Sequence, residues 1–164
     1  MSSQVSFIVH DEPADRPDRG YIAVVDLAPF GFPRQMEQIW LRPLGDGQYE
    51  ICCLPFRVYG LAMGDVVSLN EEDGSINGVI RYSGNRVFRI YFPSSTPLGD
   101  FDSVKRDVIS AIHDADLRAE WSGDRHVAIH IPLGGSVERV WAVVRQLGGI
   151  AVWEWSDVEE FRAS

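Results

Sequence analysis

The chain has 164 residues, 45% of them apolar, enough for one generous domain or two small lobes around a real core. Fifteen basic against 24 acidic residues leave a net charge of −9, which opposes binding to nucleic acid or an anionic membrane and favours a basic protein partner. No stretch approaches the roughly 20 apolar residues of a membrane span, the N-terminus shows no leader pattern, and the adjacent Cys52 and Cys53 cannot bridge each other without strain, so a cytoplasmic protein with reduced thiols is expected.

In chain order, Val5 to Val9 and Tyr21 to Leu27 are rich in strand-forming residues. Between them Asp11 to Gly20 carries prolines and charges that rule out a packed strand, and reads as a mobile acidic loop. Ala28 to Pro33 interrupts the pattern, with Phe30 and Phe32 expected to fold over the mouth of a barrel. Ile39 and Leu41 then alternate with Trp40 and Arg42, and Tyr49, Ile51 and Cys53 alternate with Glu50 and Cys52 across Gly45-Asp46-Gly47, which predicts a hairpin. Val66 to Leu69 and Gly78 to Tyr82 predict a second hairpin around Glu71-Glu72-Asp73-Gly74. Five or six short antiparallel strands of this kind imply a small barrel or a curled sheet over residues 1–85.

From Arg86 the period changes. Arg86 to Phe92 reads as a strand; Phe101, Val104, Val108, Ala111 and Ile112 form one helical stripe, with Asp100 or Asp102 as its N-cap. Leu117 to Trp121 and His126 to Ile131 flank a turn-forming run. Val137, Val140, Trp141, Val144 and Leu147 predict a second helix, capped by Ser136 and ended by a left-handed Gly148, and Ile150 to Trp155 supplies a last strand. The order βαββαβ over residues 86–164 matches a ferredoxin-like half, so the expected fold is α+β, with two lobes packed too tightly to move as separate domains.

A ferredoxin-like sheet carries both helices on one face. If Phe88, Ile90 and Phe92 face the helices, Val87, Arg89 and Tyr91 face away, joined by His126 and His130 and by Trp153 and Trp155. That face is expected to pack on the N-terminal lobe or a second subunit, or to serve as a ligand or partner surface. His126 and His130 do not suggest a metal pair, because four strand residues span about 13 Å. Cys52 and Cys53 point to opposite sides of a strand and read as core residues rather than nucleophiles. No catalytic motif, cofactor loop or metal set emerges, and no partner for His10, His113, His126 or His130 is visible in the sequence.

Glu37-x-x-Trp40, Gly45-Asp46-Gly47-x-Tyr49, Leu54-Pro55-Phe56 and Gly60-x-Ala62-x-Gly64-Asp65-Val66-Val67, followed by Ser83-Gly84 and the arginine strand Arg86 to Arg89, resemble an uncharacterised bacterial family, the domain of unknown function 4265. The resemblance covers roughly Tyr21 to Trp155 and departs from the family pattern at Cys52-Cys53, where aspartate and asparagine are usual. It implies a shared fold and a soluble bacterial origin, and it assigns no catalytic residue.

The functional expectation is a non-catalytic acidic protein-binding module, of the kind represented by immunity or antitoxin-type inhibitors of basic effectors. Glu71, Glu72 and Asp73 would steer the encounter, and Tyr91, His126, His130, Trp153 and Trp155 would form the contact. The alternative is a sensor or carrier holding a small molecule between the lobes. A homodimer is compatible with either.

Overall fold

The computed structural model describes residues 4–148 and 150–163. Among these the chain is α+β, with two sheets and two α-helices. The first sheet contains β1 (Ser6–Ile8), β2 (Tyr21–Asp26), β3 (Gln35–Gly45), β4 (Gln48–Ile51), β5 (Val66–Leu69) and β6 (Ile76–Arg81). The long β3 organises it. Glu37, Ile39 and Leu41 alternate inward and are buried, β2 runs antiparallel along one edge, and the other edge takes first β1 and then β4. Gly45, Asp46 and Gly47 all have positive φ, the conformation that the two glycines make accessible at this turn.

The sheet does not close into a barrel, and β1 lies parallel to β3 where antiparallel strands were expected. Among the described residues no ladder joins β6 to β2. The C-terminal tail borders the gap instead: Phe161 to Ala163 share a cleft of about 240 Å³ with Val24 to Asp26 and the β5–β6 turn, and Phe161 packs on the core of the first sheet. Gly60 permits this approach, since a Cβ there would stand 2.1 Å from the Phe161 nitrogen. Phe30, in a short 3-10 turn, and Phe32 are half-buried against the same core.

The second sheet comprises β7 (Arg86–Tyr91), β8 (Ala119–Ser122), β9 (His126–Ile131) and β10 (Val152–Trp155), in the spatial order β10-β7-β9-β8 with every pair antiparallel. α1 (Leu98–Asp114) and α2 (Glu138–Val144) cover one face, burying Phe101, Val104, Val108, Val140 and Val144 on Phe88, Ile90, Phe92, Val127 and Ile129. α1 starts after Pro97 with no side-chain cap; Asp100 sits in its first turn, where it suits the helix dipole, but neither Asp100 nor Asp102 caps the end. α2 ends at Val144, earlier than the apolar stripe predicts. The chain tightens there through bonds from Gln146 N to Val143 O and from Leu147 N to Val144 O, and Gly148 is not left-handed. No helix among the described residues is long and apolar enough to cross a membrane.

The loop from Asp11 to Gly20 is tied down rather than free. Pro13 and Pro17 are buried, Asp15 N donates to Cys52 O, and the Asp15 carboxylate pairs with Arg42.

Candidate functional site

The face of the second sheet opposite the helices is covered by the irregular segment from Leu54 to Met63. Leu54, Phe56, Ala62 and Met63 pack on Val87 and Ala128 in a small apolar cluster. An irregular segment at this depth leaves backbone groups without a ladder, so other groups must satisfy them. Two carboxylates, one from each sheet, do so. Glu37 of β3, fully buried, accepts from the N–H groups of Phe56 (2.6 Å), Arg57 (2.9 Å) and Val58 (3.0 Å). Glu120 of β8 accepts from Leu54 N (2.5 Å) and Ala14 N (3.1 Å). From the opposite side Arg89 of β7 donates through Nη1 to Val58 O (3.0 Å) and Pro55 O (3.3 Å).

His10 joins the two carboxylates. Its Nδ1 lies 2.8 Å from Glu120 and its Nε2 3.0 Å from Glu37, while its ring stacks on Phe56 with centroids 4.4 Å apart and planes 5° apart. Only an imidazolium can donate from both nitrogens at once. Burial opposes that charge, but proximity and hydrogen bonding to Cys53, Glu120 and Glu37 push the His10 pKa up to about 12. Charge attraction to Cys53 would require a thiolate, which burial suppresses by raising the Cys53 pKa, so the two carboxylates carry the effect. Burial raises the Glu37 pKa, yet hydrogen bonding and attraction to His10 and the backbone N–H groups overcome it, and the carboxyl ends below its ordinary value.

Beside this network the seam opens into a cleft of about 440 Å³, lined by Phe32, Gln35, Phe56, Arg57, Tyr59, Tyr91, His126 and Glu154. Tyr91 and His126 are paired in register across β7 and β9 and meet edge to face at 6.0 Å; the Phe56 ring is 5.8 Å from His126. The Tyr59 hydroxyl donates to Glu154, and Arg89 lies under the Tyr59 ring at 4.6 Å. Arg89 Nε is 3.0 Å from Glu154 Oε1, an ion-pair distance without hydrogen-bond alignment, and its Nη2 has no partner among the described residues. Burial first, and then the positive charges of Arg89 and Arg57, hold the His126 pKa down to about 4, so the ring is neutral at pH 7. Such a site can bind and orient a ligand, and burial, followed by the hydrogen bond to Glu154, raises the Tyr59 pKa to about 12, so its hydroxyl stays protonated at pH 7.

Of the residues singled out from sequence, Tyr91 and His126 line this cleft. His130 lies on the same sheet face but outside the cleft. Trp153 and Trp155 do not share that face. They pair with Ile90 and Phe88 and pack on the helix side, Trp153 against Trp141 at 4.6 Å and Trp155 against Phe88 at 5.0 Å. Glu71, Glu72 and Asp73 occupy the exposed β5–β6 turn, away from the cleft lining. Sequence pattern alone does not mark Glu154, Tyr59 and Arg57 as site residues or give His10 its partners, although a glutamate in phase with Ile39 and Leu41 is a readable signal of a buried, partnered carboxylate. Cys52 and Cys53 are buried and unbridged. Asp15, Glu50 and Cys52 place ligand-type atoms within 4.8 Å of one another, but Arg42 already bridges the two carboxylates.

The model of a family described as a domain of unknown function, DUF4265, matches residues 37–155. The chain belongs to this family. The motif residues of the DUF4265 domain now have structural roles. Glu37 holds the connector, and Asp65 accepts from Ala62 N (2.9 Å), Ser83 N (2.8 Å) and Ser83 Oγ (2.8 Å), fixing the corner that leads into β7. A solved structure titled as a novel crystal structure of a hypothetical protein from Neisseria gonorrhoeae is similar, with a TM-score of 0.59 and 17% identity over 91% of this chain and 97% of that one. At that identity the likeness concerns the fold alone. No curated protein matches the chain.

Proposed function

We propose that this DUF4265 protein is a non-catalytic small-molecule sensor or carrier, with its ligand held between the two sheets. The observation that carries this reading is the aromatic-walled cleft at the seam, whose Phe56-Arg57-Tyr59 wall is held in place by Glu37. Ligand pockets favour such junctions, and a volume of about 440 Å³ lies in their usual range of roughly 300–1,000 Å³. A thermal-shift screen of metabolites tests it: a ligand at 100 times its Kd adds about 2.7 kcal/mol of stability, and Tyr91→Ala should abolish the shift without unfolding the protein. An absence of shifts across a broad library, or shifts indifferent to Tyr91→Ala, overturns the reading.

The exposed acidic turn favours a second reading, an immunity or antitoxin-type module that captures a basic protein. Glu71 and Glu72 take part in no ion pair among the described residues. Association with such a partner should slow steeply as salt rises, with dissociation changing much less; retention of no partner at low salt rejects it. We further infer that residues 86–164 are a ferredoxin-like unit, a reading supported by the spatial order fourth, first, third, second strand with both helices on one face. The two buried, unbridged cysteines support a cytoplasmic location.

A further inference from the structure

The geometry points to an aromatic carboxylate as the ligand class of the inter-sheet cleft, an inference that rests on the ligand-binding reading above. It begins with charge. The chain as a whole is strongly negative, yet the cleft is not. Its one carboxylate, Glu154, is already engaged by Arg89 at 3.0 Å and by the Tyr59 hydroxyl. Glu37, which lies behind the wall, is consumed by His10 and three backbone N–H groups. Arg57 remains, and no carboxylate pairs with its guanidinium among the described residues. That guanidinium is positioned, lying 5.0 Å over the Phe32 ring and donating to Gln35. Behind it stands Arg89, 1% exposed, with Nη2 unpartnered. The unspent charge at this site is therefore positive, and the planar fork of Arg57 suits a carboxylate.

The walls supply the second half of the inference. Phe56, Tyr91 and His126 meet at tilted and edge-to-face angles, an arrangement that accepts a flat ring against their faces. His126 lines the cleft and makes no side-chain hydrogen bond among the described residues, so its neutral imidazole keeps an uncommitted donor and acceptor.

The test uses the full chain and three probes of matched shape: 2-naphthoate, 2-naphthylmethanol and 2-naphthylmethylamine, followed by calorimetry and by the His126 and Tyr91 ring resonances. Naphthoate should bind at least tenfold more tightly than the alcohol, and the amine most weakly. Arg57→Gln should erase the preference, bringing the affinity for naphthoate down to that for the alcohol. Bound naphthoate should also raise the His126 pKa from about 4, because the anion offsets Arg57 and Arg89, whereas the alcohol should not. If the amine or the alcohol binds as tightly as naphthoate, or if Arg57→Gln leaves the preference intact, the carboxylate inference falls and the ligand cleft stands. If no probe perturbs the rings, this inference also falls, and the metabolite screen decides the cleft reading separately.

Discussion

The two faces of the β7–β10 sheet are held by different physics. Toward the helices, Phe88, Ile90, Val127 and Ile129 meet apolar side chains, and stability there scales with area removed from water. Toward the first sheet, Val87 and Ala128 are flanked by Arg89, Glu120, Glu37 and His10, all nearly inaccessible to solvent. The helix face tolerates exchange of one apolar shape for another. The seam does not, because removing one charge leaves another buried without its partner. The difference explains why the cleft wall is well defined although the segment forming it, from Leu54 to Met63, has neither helix nor strand.

The most severe way to break the seam is Glu37→Ala, which strips His10 of one acceptor and three backbone N–H groups of theirs. A loss of about 3–5 kcal/mol is expected in urea unfolding, with His10→Gln milder because the amide can still bond to one carboxylate. A loss under about 1 kcal/mol for Glu37→Ala would mean that the two faces are not distinct in kind.

The next effect is on pH dependence. His10 has a raised folded pKa, so its contribution is complete below the unfolded value near 6.5 and is lost as pH rises toward about 12. Between pH 7 and 8.5 His10 should lower stability by up to about 1.4 kcal/mol per pH unit; Cys52 and Cys53, whose pKa values burial raises, add to the upper part of this limb, so His10→Gln should reduce its slope. On the acid side the sign reverses. His126 has a depressed folded pKa, so the unfolded chain takes up the proton first and stability falls as pH drops from about 6.5 toward 4. His130, also depressed by burial and by Arg118, adds to this limb, so His126→Gln should reduce the slope without removing it. Urea titrations at pH 5, 7 and 8.5 separate the two limbs.

On the helix face, Ile129→Val should cost only about 0.5–1.5 kcal/mol, with unchanged dependence on pH. The smallest effect belongs to the surface. Replacing Glu71, Glu72 and Asp73 together by their amides should alter stability by under about 0.5 kcal/mol while lowering the on-rate for any basic partner, read by stopped-flow at low salt.

Local pattern sufficed for much of this molecule. The stripe Phe101, Val104, Val108, Ala111 and Ile112 specifies α1 because helical spacing puts those residues on one face, and the two glycines around Asp46 specify a hairpin because few other residues reach positive φ cheaply. The motif around Glu37, Gly60 and Asp65 likewise marked the family. Within a strand, alternation separates Phe88 from Val87 on the sequence alone. Between strands it does not. Which parity of β10 meets which parity of β7 depends on register, and that register put Glu154 opposite Arg89 and turned Trp153 and Trp155 toward the helices. The cleft and its supporting network belong to the same class of fact. Glu37 and Glu120 lie far from His10 along the chain, and His10 comes within 3.0 Å of both only when the sheets pack, because a buried charge chooses its partner by position in space, and no local propensity encodes that choice.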